Sequence, residues 1–208
     1  MLILCDFDGT ITIEDITNMI WDRHGIPNWR EVLLPPYRAG KTTAIELMAQ
    51  GYKAVKQPSA ELLELVRPHI KIRPGFPEFV AQCRARSWPL YVVSCGLDWY
   101  LRHYLPPEVP FHGLRSELKD GWDVHLPEGC TLAPGQDFKV NVYERLRERH
   151  AGLEMAFIGD GRNDFPVARR AQRVFSVRES TLEALCGEHK VPQHPFVSFH
   201  EVLAVLQR

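Results

Sequence analysis

Short apolar runs that stop abruptly at a polar residue recur along this chain. Leu2-Ile3-Leu4-Cys5 ends at Asp6, Leu90-Tyr91-Val92-Val93 ends at Ser94, and Met155-Ala156-Phe157-Ile158 ends at Gly159-Asp160. Runs this short, apolar throughout rather than alternating, describe strands buried on both faces, as parallel sheets require. Residues 173–177 read as one further strand. Between these runs the apolar period becomes helical, over 76–86, 97–105, 139–150, 181–188 and 200–206. Two half-apolar runs across 111–126, joined at Lys119-Asp120-Gly121, carry a hairpin signal. Strands alternating with helices predict an α/β fold, a Rossmann-like parallel sheet core flanked by helices.

One segment departs from that alternation. Ile16, Met19, Ile20 and His24 fall at helical spacing, followed by Ala44, Leu47, Met48 and Tyr52, then by Leu62, Leu63, Leu65 and Val66. Pro27, Pro35-Pro36, Gly40 and Pro58 punctuate these runs as loops between helices would. The pattern predicts a small all-helical cap domain over 14–72, inserted into a core made of 1–13 and 73–208. Arg73-Pro74-Gly75 reads as the turn that returns the chain to the core.

In parallel sheets ligands bind outside the carboxyl ends of the strands, and Asp6, Ser94 and Asp160 each stand there. Asp6-Phe7-Asp8-Gly9-Thr10 places two carboxylates in one loop, and Gly9 gives the backbone freedom to curl. Two carboxylates held together repel unless a cation or a shared proton compensates. With a divalent ion present, one could attack phosphorus while the other gives a proton to the leaving alcohol. Read alone, the same loop equally describes a turn whose aspartates cap a helix. Asp160-Gly161-Arg162-Asn163-Asp164 offers hard oxygen donors of the kind Mg²⁺ prefers, and also the residues favoured at a helix start, with Pro166 following. Lys139 follows the loop Pro134-Gly135-Gln136 at a helix N-terminus, where its charge opposes the dipole; a phosphoryl group nearby would explain it, and so would a plain surface position. Ser94-Cys95-Gly96 could offer a hydroxyl and N–H groups to phosphate, or be a simple strand-to-helix turn.

Charge narrows the partners. There are 25 Lys plus Arg against 26 Asp plus Glu, which gives no electrostatic footprint for nucleic acid or an anionic membrane. The N-terminus has neither a basic region nor a long apolar run, so neither a signal peptide nor a membrane span is expected. Five scattered cysteines without a CxxC pair suit a reducing cytoplasm and signal neither zinc nor disulfides.

Taken in order, these pieces resemble the haloacid dehalogenase superfamily, whose four signatures match Asp6 to Thr10, Ser94, Lys139, and Gly159-Asp160 with Asp164. The resemblance implies a phosphatase: Asp6 as nucleophile forming an aspartyl-phosphate, Asp8 as general acid and then base, and Ser94 and Lys139 holding phosphoryl oxygens. It also implies Mg²⁺ on the Asp6 carboxylate, the Asp8 backbone carbonyl and Asp160, supported by Asp164. The helical insert and Gly159 to Asp164 resemble the phosphoserine-phosphatase-like branch. There Asp15, Gly96 and Asn163 match substrate-binding positions, and the substrate is a small phosphorylated metabolite. Asp6 to Asp15 and Ser94 to Tyr100 look most like that branch's methionine-salvage members. Trp21, Trp29, Tyr37, Arg38 and Lys41 are the cap positions from which substrate contacts are expected. Transfer to another alcohol in place of water remains open on the same residues.

Overall fold

In a computed structural model of the chain, which describes residues 1–133 and 135–208, the apolar runs form one mixed sheet. Pro134, part of the loop read ahead of Lys139, lies outside the described residues. The elements run β1 (Leu2–Cys5), α1 (Ile16–His24), α2 (Trp29–Arg38), α3 (Ala44–Lys53), α4 (Ser59–Val66), α5 (Phe76–Ala85), β2 (Leu90–Leu97) and α6 (Asp98–Tyr104). They continue with β3 (Phe111–Lys119), β4 (Gly121–His125), α7 (Phe138–Arg149), β5 (Met155–Gly159), α8 (Phe165–Ala168), β6 (Arg173–Val177), α9 (Thr181–Glu188), β7 (His194–Phe196) and α10 (Phe199–Leu206).

The strand order is β4-β3-β2-β1-β5-β6-β7, parallel except for the antiparallel β3–β4 pair. β1 lies between β2 and β5, so the order reverses direction at β1 and opens a crevice at its carboxyl end. Every residue of β1 and of β5 is buried, which is why both read as unbroken apolar runs.

The sequence pattern misjudges three elements. β2 runs on to Leu97 instead of stopping at Val93, with its register to β3 broken between Val93 and Leu97. The apolar pattern ends at Ser94, but the chain stays extended and buried because the Gly96 N–H donates to Ser94 Oγ at 2.9 Å. Pro35 and Pro36 lie inside α2 rather than in a loop, the helix being held by the buried Trp29 and Leu33 on its inner face. β7 was not anticipated: it is an edge strand with Pro195 in it and Phe196 alone buried, so no apolar run announces it.

Helices α1 to α4 fill the predicted insert. Asp15 caps α1 by accepting from the Asn18 N–H, and Thr43 with Glu46 forms a capping box on α3. The chain leaves and re-enters the sheet side by side: the Ile13 N–H donates to Lys71 O, the Arg73 N–H donates to Ile11 O, and Thr12 bridges Ile72. On its far side the insert meets the β3–β4 hairpin. Gly121 packs so closely that a Cβ there would lie 2.0 Å from Lys53 O. Lys53 pairs with Asp123 at 2.7 Å, Lys56 pairs with Asp120 at 2.6 Å, and the Trp122 indole donates to Gln57 O at 3.1 Å. Among the described residues no helix is long and apolar enough to cross a membrane.

Candidate active site

Asp6 emerges from the carboxyl end of β1, its N–H donating to Ile158 O of β5 at 2.8 Å. Lys139, in the first turn of α7, reaches in beneath it. Its Nζ donates to Asp6 Oδ1 and to Asp164 Oδ1, both at 2.6 Å. Lys139 is 1% exposed, against the surface position that its charged helix suggests. Burial pulls its pKa down, but attraction to Asp164 and Asp6 outweighs that and holds it well above the ordinary lysine value. Asp164 Oδ2 in turn accepts from the Asp160 and Gly161 N–H groups, at 3.0 and 2.8 Å, which fixes the loop after β5.

Oxygens of Asp6, Asp160 and Asp164 come within 4.8 Å of one another. Burial, then the neighbouring Asp164, pushes Asp6 well above the ordinary carboxylate range and Asp160 up to about 7. Three acids facing one lysine leave an excess of negative charge in a buried place, and a divalent cation would cancel it. The donors are all hard oxygens, so the residues present fit Mg²⁺. Asp8 offers no carboxylate to this group. Its Oδ1 accepts from the Ile16 N–H at 3.0 Å, and its Oδ2 accepts from the Tyr100 hydroxyl at 2.8 Å. Burial and then the charge of Asp15 push the Asp8 carboxyl up to about 8.

The loop carrying Asp6 and Asp8 is held by contacts that the sequence did not disclose. Thr10 donates its hydroxyl to Asp160 Oδ1 at 2.9 Å. Arg73, read only as part of a turn, is 8% exposed and donates to Thr10 O at 2.6 Å and Gly9 O at 2.7 Å. Gly9 sits at φ 76°, where a Cβ would lie 2.5 Å from Asp160 Oδ2. We expect Gly9→Ala to cost more than about 1 kcal/mol of stability through the backbone. By displacing Asp160 it should also lower any turnover at this site about 100-fold. Urea melts beside an activity assay check both.

A cavity of about 660 Å³ opens between the sheet edge and the insert. Asp6, Asp8, Asp15, Ser94, Gly96, Asp160 and Asn163 line it from the predicted set, whereas Lys139 and Asp164 are not among its lining residues. The insert contributes Trp21, Trp29, Tyr37 and Arg38 as expected, but not Lys41. It adds Leu47 and Met48, which the sequence reads only as positions at helical spacing, and Arg30 and Leu34, which the apolar pattern does not mark. Arg30 is committed to Asp22 through two guanidinium N–H groups, while Arg38 forms no ion pair among the described residues. All five cysteines are buried and unpaired.

Comparison with known proteins gives this geometry its setting. The chain is 29% identical to the 2-hydroxy-3-keto-5-methylthiopentenyl-1-phosphate phosphatase of Geobacillus kaustophilus, over 100% of the chain and 96% of that protein. It is 22% identical to the polyol phosphate phosphatase PYP1 of Saccharomyces cerevisiae, over 100% of the chain and 92% of that relative. A substrate-bound phosphoserine phosphatase superposes with a TM-score of 0.73 at 20% identity, covering 98% of this chain and 97% of that one, which shows a shared fold. Fold and relatives together define an enzyme of the phosphoric monoester hydrolase class. The chain belongs to the haloacid dehalogenase-like hydrolase family, whose model matches residues 3–169.

Proposed function

We propose that this hydrolase is a Mg²⁺-dependent phosphatase that cleaves a small phosphorylated metabolite through an aspartyl-phosphate on Asp6. The observation that carries the reading is the buried arrangement at the end of β1. There Asp6 faces Asp160 and Asp164 with Lys139 bonded to it, and Asp8 stands in the same loop. The Asp6 carboxylate, the Asp8 carbonyl and Asp160, with Asp164 in support, would hold Mg²⁺, which would supply positive charge to the phosphoryl oxygens.

An Asp6 oxygen attacks phosphorus and forms the acyl-phosphate bond while the P–O ester bond breaks, and Asp8 gives its proton to the departing alkoxide. Water then attacks the same phosphorus, gives its proton to Asp8, and the bond to Asp6 breaks to release inorganic phosphate. The raised Asp8 pKa suits a group that must carry a proton near neutral pH. Ser94 and Lys139 hold the phosphoryl charge, and Asp15, Gly96 and Asn163 complete the walls near it. Residues 1–13 and 73–208 serve as the catalytic core, and 14–72 as the cap that closes the cavity.

For the substrate we favour 2-hydroxy-3-keto-5-methylthiopentenyl-1-phosphate, on which the Geobacillus kaustophilus relative acts by name. The apolar wall of Trp21, Leu34, Leu47 and Met48 supports this, because a methylthio tail needs such a surface. A phosphoserine reading draws on Arg38, a cation among the residues lining the cavity. A panel holding both esters, with and without candidate acceptor alcohols, decides between the substrates and between hydrolysis and transfer. The five unpaired cysteines support a cytoplasmic setting.

Metal dependence has a pH signature as well. Asp160 and Asp8 keep their protons to about 7 and about 8 in the folded chain, against 3.8 ordinarily. The folded state therefore binds more protons than the unfolded state in that window. The stability these groups contribute is full below 3.8 and is lost as pH rises through about 7 and 8. We expect Mg²⁺ to raise the melting temperature more at pH 8 than at pH 6, and EDTA to abolish turnover until Mg²⁺ is restored. An equal thermal shift at both pH values, or full activity in EDTA, counts against the site.

A further inference from the structure

Asp8 is the end of a line of buried hydroxyl groups that begins in the insert. Tyr52 of α3 lies 3.2 Å from Thr17 of α1, Thr17 lies 3.2 Å from Tyr100 of α6, and the Tyr100 hydroxyl donates to Asp8 Oδ2 at 2.8 Å. Tyr52 and Tyr100 are fully buried and Thr17 nearly so. Each hydroxyl has one proton to give. Since Tyr100 spends its proton on Asp8, Thr17 must donate to Tyr100 and Tyr52 to Thr17, so the line is polarised toward the carboxyl group. Gly96 makes room for it: a Cβ there would lie 2.1 Å from the Tyr100 hydroxyl and 2.9 Å from Asp8 Oδ2.

We propose that Tyr100 is a positioning residue for proton delivery, aiming the Asp8 carboxyl and tying its aim to the seating of the insert through Thr17 and Tyr52. The proposal rests on the phosphatase reading above, in which Asp8 is the proton carrier. Ile16 N–H and Tyr100 O–H both donate to Asp8, so neither neighbour takes its proton. The Tyr100 oxygen already accepts from Thr17. The proton is kept for the ester oxygen in the cavity that Asp8 lines. Two of the three hydroxyl groups and the Ile16 N–H belong to the insert, so an insert displaced by one hydrogen-bond length lets the carboxyl turn.

Leaving-group chemistry separates this role from a merely structural one. An alkoxide needs a proton to depart, whereas a dinitrophenolate does not. The test compares kcat/KM for the best alkyl phosphate of the panel with that for 2,4-dinitrophenyl phosphate, in the Mg²⁺-loaded wild type, Tyr100→Phe and Thr17→Val. We expect Tyr100→Phe to lower kcat/KM for the alkyl ester about 10- to 100-fold, and for the aryl ester less than about 3-fold. Thr17→Val should show the same selectivity with a smaller loss, and it keeps the test alive if Tyr100→Phe does not fold. Equal losses on both esters, or no loss on either, overturn the proposal. A wild type that cleaves neither ester instead overturns the phosphatase reading, and this inference with it.

Discussion

Asp6→Asn is expected to abolish phosphate release, by on the order of 10⁴-fold or more, and to leave the metal-free protein more stable than the wild type. The first half follows from its proposed role as nucleophile: an amide cannot form the acyl-phosphate, and losing a nucleophile removes the whole covalent route. The second half follows from its surroundings. Asp6 is 5% exposed and meets Asp164 and Asp160, whose repulsion together with burial already pushes its carboxyl toward the neutral form. Asparagine keeps the shape and can still accept from Lys139, but brings no charge. Thermal melts in EDTA read the stability, and a malachite-green assay with Mg²⁺ reads the turnover. Residual activity within tenfold of wild type would move the nucleophile elsewhere. A lowered melting temperature would show that Lys139 over-compensates the acids.

The opposite pairing of effects is expected at Lys139. Lys139→Met retains most of the volume but leaves Asp6 and Asp164 facing each other without a counter-charge, where Asp164 is fully buried and Asp6 nearly so. Removing one partner of a buried ion pair costs about 3–5 kcal/mol. On the proposed mechanism phosphate release should fall about 1,000-fold, because Lys139 is the cation that holds the phosphoryl charge. A second substitution tests the reasoning. Lys139→Met with Asp164→Asn should recover much of the stability and none of the activity, a non-additivity that a double-mutant cycle isolates. If the double variant is no more stable than the single one, the cost lies in packing rather than in uncompensated charge.

The strand ends and the acidic loops were legible because each reads locally: an apolar run, then a carboxylate. Lys139 was legible as a position but not as a buried one, since Arg145, Arg147 and Arg149 in the same helix read as a solvated face. Its burial comes from topology, which sets the first turn of α7 behind the end of β1. Tyr100 closes the stretch from Ser94 that carries the family resemblance, yet nothing there gives it a role, and Arg73 reads only as part of a turn. Their partners stand 92 and 64 positions away, at Asp8 and Gly9. Gly96 was read as a phosphate contact. It lines the cavity, yet its N–H is taken by Ser94 and its missing side chain is filled by the Tyr100 hydroxyl. A glycine's meaning depends on what occupies the space it vacates, which a single sequence does not carry.

The clasp between the insert and the β3–β4 hairpin bears on how substrates are sorted. An insert joined to the sheet only through its paired entry and exit strands could swing wide and admit almost anything. This one is also fastened at its far edge, where Gly121 lies against Lys53 and Trp122 bonds to Gln57. The far edge of the cavity's doorway is thereby tied to the sheet, and on the phosphatase reading we expect small phosphate esters to be admitted in preference to phosphoproteins or nucleic acid ends.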